Sequence, residues 1–248
     1  MLPDYLQLLT EIVREIQALP SLSSFHLAGG TNLAIQYNHR KSIDIDLISN
    51  QIVGLNRLTN IQEEIQNYYK DSCNIKSIII NEELGKQFVF LRLFIFKSEQ
   101  VIKVELIQNM KYPYEIEEKD GIRFISTEDI GLFKLESAAN RKAKKDIYDL
   151  DFITDEIPLS ELLANLRLKK EKFNLPEHRS IFDLDRYTSP LEKLEILLDF
   201  DSNYRGTYKR PSHSNDKIDI LPNSKSWQEA RISWRMKVKN FIRRNNPN

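Results

Sequence analysis

Cysteine is almost absent: Cys73 stands alone in 248 residues, which excludes an internal disulfide and any Cys-rich zinc site and agrees with a reducing compartment. Net charge is absent too, because 36 Lys and Arg balance 36 Asp and Glu. Whole-chain charge therefore predicts no nucleic-acid or membrane partner, and any such contact must use a local patch. No window reaches the roughly 18 continuous apolar residues that a bilayer span requires. The start, MLPDYLQLLTEIVREIQ, carries acids where a secretory leader has a basic region. The chain reads as cytoplasmic. Glycine is scarce, 7 in all, yet two stand side by side at Gly29 and Gly30. What is plentiful is apolar residue, 41% of the chain, enough for the core of one large domain or two modest ones.

Leu6, Leu9, Ile12, Val13 and Ile16 recur at the three-and-four spacing of an amphipathic helix, which Pro20 closes. FHLA reads as a short strand running into the glycine pair, NLAIQYN as a helical turn or two, and SIDIDLIS as the next strand. A second helix is predicted from Asn56 to Tyr69, with Leu58, Ile61 and Ile65 on one face. IKSIIIN, KQFVFLRLFIF and QVIKVELIQ are rich in β-branched and aromatic residues and read as consecutive antiparallel strands; GIRFIS adds a last short one. From Ser126, with Glu128 or Asp129 as first-turn acids, the pattern turns helical. EDIGLFKLESAANRKAKKDIYDLDFI, LSELLANLRLKKEKF, SPLEKLEILLDF and SWQEARISWRMKVKNFIRR are all amphipathic and lack strand alternation. The predicted class is α+β, a mixed-sheet domain over 1–125 and a helical domain over 126–248, with an exposed loop between Asp201 and Ser224.

On a strand, residues two apart share a face, so Asp44 and Asp46 project together with Cα atoms about 7 Å apart, while Ile43, Ile45 and Leu47 turn to the core. Divalent cations relieve the repulsion of such a pair. Mg²⁺ favours carboxylate oxygens together with substrate phosphates, and two ions about 4 Å apart clamp a phosphoryl displacement. Taken alone, the pair also fits the wet face of an ordinary strand. Gly29-Gly30-Thr31 lies where strand passes into helix, so backbone N–H groups unobstructed by Cβ, and the Thr31 hydroxyl, suit a phosphate. Taken alone, it is also an ordinary turn. In VIKVELIQ, Lys103 and Glu105 share a strand face. Between 126 and 153 one predicted helix carries Lys134, Arg141 and Lys145 as a stripe, with Asp146 and Asp149 three apart at the next turn. Charge alone favours a solvated face of mixed sign there.

In order and spacing, LAGGTNLAIQYNHRKSIDIDL resembles the hG[G/S]…DhDh signature of the nucleotidyltransferase (DNA polymerase β-like) fold. STEDIGLFKLESAANRKAKKDIYDLDFI is similar to the second conserved block of AbiEii/AbiGii-type nucleotidyltransferase toxins, with its Lys, Arg, Lys-Asp and Asp-Leu pattern. The first block of that family also sets an Arg and a Ser before the D-x-D, here Arg40 and Ser42. The resemblance implies a nucleotidyltransferase-fold domain followed by a helical domain that completes the nucleotide cleft. It implies that Asp44 and Asp46 hold metal, with Glu105 as a third carboxylate where this fold more often has Asp. Glu105 is also assigned to help activate the attacking hydroxyl. Gly29, Gly30 and Thr31, with Arg40 and Ser42, are implied at the nucleotide phosphates. Lys134 and Asp146 assist at the nucleotide, and Arg141 and Lys145 add positive charge.

The implied reaction is Mg²⁺- (or Mn²⁺-) dependent transfer of an NMP from an NTP to a hydroxyl acceptor, tRNA or other RNA, with pyrophosphate leaving. The implied biology is the toxin of a bacterial toxin–antitoxin or phage-defence pair, with a cognate antitoxin protein. Two other classes stay open: nucleotidyl or phosphoryl transfer to a protein side chain, and an inactive module that binds RNA or a partner. His39, ahead of Arg40, reads as an exposed loop residue. The last helix carries Arg231, Arg235, Lys237, Lys239, Arg243 and Arg244 with Trp227 and Trp234 interleaved, which suits either an RNA surface or a packed helix with a wet basic side. RGTYKRPSH, residues 205–213, is a second basic stretch, an RNA-contact arm or a linker.

Overall fold

The computed structural model describes residues 4–79, 85–184, 188–200 and 217–245. RGTYKRPSH and most of the predicted 201–224 loop lie outside them. The chain divides into two units. The first comprises Met1–Gln36, Ser42–Ser126 and Leu175–Ser180, and the second Tyr37–Lys41, Thr127–Asn174 and Ile181–Asn248.

In the first unit, α1 (Asp4–Ala18) leads to β1 (His26–Ala28), α2 (Gly29–Tyr37, which runs on into the second unit at its last residue) and β2 (Asp44–Ile48). Then come α3 (Gly54–Tyr69), β3 (Cys73–Ile79), β4 (Phe90–Lys97), β5 (Gln100–Ile107), β6 (Glu117–Lys119) and β7 (Ile122–Phe124). The seven strands form one sheet in the order β3-β4-β5-β2-β1-β7-β6. It is mixed: β2 runs parallel to β5 and β1 to β7, and the other neighbours are antiparallel. The β3, β4 and β5 meander is the one that the sequence predicts.

One face of this sheet is apolar and dry. Leu27, Ile45, Leu47, Leu91, Leu93, Ile95, Val104 and Leu106 pack with Leu9, Ile12 and Ile16 of α1 and with Leu58, Ile61 and Ile65 of α3. Each such side chain contributes roughly 1.5–3 kcal/mol by leaving water. Since strand side chains alternate, the other face receives Asp44, Asp46, Arg92, Lys103 and Glu105. Ile43 departs from the expected alternation and is 66% exposed, because pairing of β2 begins only at Asp44. A polar plug serves the start of α3: Gln108 Oε1 accepts the backbone N–H groups of Val53 (2.7 Å) and Gly54 (3.0 Å).

The second unit is helical: α4 (Thr127–Arg141), α5 (Lys144–Glu156), α6 (Leu159–Lys172) and α7 (Trp227–Asn245). The single helix expected over 126–153 is two. Lys142 adopts a left-handed conformation (φ 54°) directly after α4, which ends a helix and redirects the chain. SPLEKLEILLDF is not an α-helix either. Only Leu194–Leu198 turn, as a short 3₁₀ segment with i to i+3 bonds such as Asp199 N–H to the Ile196 carbonyl (3.1 Å). The Leu197 carbonyl accepts the Trp234 indole N–H (2.9 Å), which anchors the turn to α7. Among the described residues no helix is long and apolar enough to cross a membrane.

Candidate active site

The glycine pair and the acid pair meet through strand register. β1 pairs antiparallel with β2 so that Ala28 lies opposite Asp46, which brings the following residue, Gly29, beside that carboxylate. Gly29 has φ 66°, and a Cβ placed there would stand 2.9 Å from Asp46 Cγ and closer still to Oδ2. No other residue fits both the backbone angle and the space. Behind the turn, the Thr31 hydroxyl lies 2.9 Å from Ser42 Oγ and within reach of the Asp44 carbonyl, and Thr31 is fully buried. Asn32, equally buried, donates to the Leu27 and Ile125 carbonyls (2.9 Å each) and ties α2 to β1 and the chain after β7. Nothing in the sequence pattern marks Asn32; its position one residue after the motif threonine is the only signal.

β2 and β5 run in parallel with Asp44 opposite Lys103 and Asp46 opposite Glu105. β4 adds Arg92 opposite Glu105. The three acids named from sequence thus share one sheet face. Their surroundings differ. Asp44 keeps 35% of its side chain exposed, whereas Glu105 is 1% exposed. Glu105 Oε1 accepts from Arg92 Nε (2.7 Å) and Oε2 from Lys103 Nζ (3.3 Å). The same ammonium reaches Asp44 Oδ2 at 3.1 Å. Burial works against the charge of Lys103, yet Glu105, Asp46 and Asp44 outweigh it and raise its pKa, so it stays an ammonium. Lys103 and Arg92 are the partners that motif reading misses; for Lys103 the signal was there, since it sits two residues from Glu105 on the same strand face.

The donor chemistry fits a hard divalent ion. Asp44 and Asp46 offer only carboxylate oxygens on an open face, and an ammonium already stands between Asp44 and Glu105, where positive charge is in demand. Among the described residues no three His, Cys, Asp or Glu side chains converge as a ready ligand set. A cavity of about 540 Å³ exists in this unit, lined in part by Ser24, His26, Arg57 and Tyr112, but it contains none of these acids. There His26 Nδ1 lies 2.9 Å from the Tyr112 hydroxyl, and burial, helped by Arg123, lowers the His26 pKa to about 4.

In the second unit Asp149 binds Arg40 at two points, Nε to Oδ1 (2.6 Å) and Nη2 to Oδ2 (2.7 Å). It also accepts from His39 Nε2 (2.8 Å) and Lys134 Nζ (2.7 Å). Asp146 takes Lys134 Nζ (2.8 Å) and Arg141 Nε (2.6 Å). Both aspartates are fully buried. Burial alone would raise their pKa values; Arg141 and Lys134 at Asp146, and Arg40 and Lys134 at Asp149, overcome it and hold both carboxyls well below the usual range. His39 is 1% exposed, not the exposed loop residue that its position suggests. It stacks on Tyr148 (5.6 Å between ring centres, 8° between planes) and touches Phe152. Burial lowers its pKa despite the carboxylate, so the ring is neutral and its Nε2–H donates to Asp149. The signal for this placement was the spacing of Tyr148 and Phe152, four apart on α5.

Lys134, Arg141, Asp146 and Arg40 therefore belong to one cluster, in which Lys134, Arg141 and Arg40 face Asp146 and Asp149. Lys145 stands half-buried in the first turn of α5. On α7, Trp234 is fully buried and Trp227 packs edge-on against Phe200 (5.7 Å), so the indoles serve packing. Lys237 is bound to Asp151 (2.9 Å) and Asp155 (2.7 Å), while Lys239, Arg243 and Arg244 are exposed.

Comparison with known proteins assigns these motifs a lineage. Residues 11–243 match the family described as "Nucleotidyl transferase AbiEii toxin, Type IV TA system". The chain is also 28% identical over 155 residues to the Aquifex aeolicus (strain VF5) protein aq_aa25, described as uncharacterized. That alignment covers 58% of this chain and 64% of the relative.

Proposed function

From the premise that this chain belongs to the AbiEii family of nucleotidyl transferase toxins of type IV toxin–antitoxin systems, we propose that it moves an NMP from an NTP to a hydroxyl of RNA, tRNA included. The observation that carries this reading is the contact of Gly29 with the Asp46 side chain, which joins the phosphate-binding turn to the acid pair. In the proposed reaction the acceptor oxygen forms a bond to the α-phosphorus, the bond to the β-phosphate oxygen breaks, pyrophosphate leaves, and the hydroxyl proton is lost.

Asp44 and Asp46 are the proposed holders of Mg²⁺ or Mn²⁺, which supplies charge stabilisation at the phosphates and lowers the pKa of a bound hydroxyl. Gly30 and Thr31 present backbone N–H groups to the phosphates at the start of α2, with Ser42 steadying the Thr31 side chain. Glu105, whose oxygens are taken up by Arg92 and Lys103, is given the task of orienting these cations, and the hydroxyl proton falls to Asp46. Lys134, Arg141, Lys145, Arg40 and Asp146 are carried forward as the contribution of the second unit to nucleotide charge. Their support is the gathering of Arg40, Lys134 and Arg141 around Asp146 and Asp149. A cognate antitoxin protein is the partner that the family description supports.

Incubation with each α-labelled NTP, Mg²⁺ and either total RNA or protein extract tests the reading. Label in RNA is the expected outcome. Label in protein moves the acceptor to a side chain. No label from wild type, with Asp44→Asn binding RNA equally well, would leave a binding module and no enzyme.

A further inference from the structure

On the open face of the sheet, three acids and two basic side chains are interleaved. Asp44, Asp46 and Glu105 bring three negative charges; Arg92 and Lys103 bring two positive ones. Neither cation is incidental. Lys103 bridges Asp44 (3.1 Å) and Glu105 (3.3 Å). Arg92 closes the other oxygen of Glu105 at 2.7 Å, and Glu105 itself is buried. A carboxylate whose two oxygens each already meet a fixed cation is a weaker ligand for a further metal ion than Asp44 or Asp46.

The charge balance is informative. Three acids and two divalent ions would leave a net charge of about one positive unit for the triphosphate, the arrangement expected of a two-ion phosphoryl clamp. Three acids with Arg92, Lys103 and a single divalent ion leave the same. We propose that Arg92 and Lys103 together stand in place of one divalent ion, so that the site takes up one metal per chain, on Asp44 and Asp46, and Glu105 is a positioning residue for the two cations. This rests on the metal-dependent reading above and extends it to the stoichiometry of the site. It also accounts for the choice of glutamate on β5. The longer side chain spans from its strand to a lysine on the same strand and an arginine on the neighbouring one, which is a holding task.

Mn²⁺ binding distinguishes the two levels without any reaction. Electron paramagnetic resonance counts bound Mn²⁺ per chain, with a non-hydrolysable NTP analogue present at saturation. The expected result is one Mn²⁺ for wild type, one for Lys103→Arg, and a second ion appearing in Lys103→Met as Asp44 and Glu105 lose their ammonium. Two ions on the wild type overturn the inference and leave the transferase reading intact, whatever the variants do. One ion on both wild type and a folded Lys103→Met also overturns it. No Mn²⁺ on wild type removes the metal-dependent premise and the inference together. If Lys103→Met does not fold, as judged by circular dichroism, Arg92→Met is counted in its place and the same second ion is expected.

Discussion

Asp44 keeps 35% of its side chain in solvent, whereas Asp146 and Asp149 keep none, although all three are paired to a lysine. The two charged regions are alike in composition and differ in access. On the sheet of the first unit, Asp44 and Asp46 are partly exposed on the face away from the apolar core, and a ligand can replace water there at little cost. In the second unit Asp146 and Asp149 are fully buried against Arg40, Lys134 and Arg141, of which Arg141 keeps 28% of its side chain exposed, and the attraction must offset a large desolvation penalty at the carboxylates. Burial, more than charge pattern, separates the two regions.

The sharpest way to break this comparison is to remove charge from the sealed cluster. Asp149→Asn leaves Arg40 and Lys134 short of a counter-charge and is expected to cost about 3–5 kcal/mol, read as a shift in the urea unfolding midpoint. A smaller cost would mean that water reaches the cluster. Acid sharpens the same point. The folded pKa of His39 is lowered, so the unfolded chain binds the extra proton and stability begins to fall below about pH 6.5. The depressed carboxyls of Asp146 and Asp149 stabilise the fold above their unfolded pKa, and that stabilisation drains away below about pH 4. Unfolding measured from pH 8 to 3 should show both steps, and Asp149→Asn should shrink the lower one.

On the open face the effect moves from stability to function. Gly29→Ala meets both a left-handed backbone and the Asp46 carboxylate, and is expected to cost about 1–3 kcal/mol while displacing the acid, so transfer falls more than the melting temperature. Equal losses in both would make Gly29 a folding residue only. The smallest effect is expected at the rim. Lys145→Ala, at a half-buried position, should change stability by no more than about 0.5 kcal/mol and show its effect only in the KM for NTP.

Much of the first unit was legible in sequence. Strand alternation in DIDLI and KVEL put Asp44 with Asp46 and Lys103 with Glu105, and the register of β2 with β5 then brought the two pairs together. Helix periodicity likewise located α1, α3 and α6 within a few residues. What escaped were features with no period. The left-handed turn at Lys142 splits a pattern that would otherwise run on as one helix, because a single backbone angle outweighs a favourable series of side chains. His39 lies in a segment with no regular structure, so its burial depends on α5, which is distant in sequence. The pairing of Glu105 with Arg92 needs the β4–β5 hairpin register, which composition does not encode. For the interleaved tryptophans of α7 the sequence left two readings open, an RNA surface or a packed helix, and the full burial of Trp234 favours the packed helix.

On the proposed reading, transfer chemistry is carried by the acid pair on the sheet face of the first unit. Labelled-NMP transfer to RNA by Asp46→Asn, measured beside its thermal unfolding, tests it most directly. The expected result is a loss of at least about 10²-fold in rate, with the unfolding midpoint close to that of wild type. Transfer at the wild-type rate by a folded Asp46→Asn would contradict it.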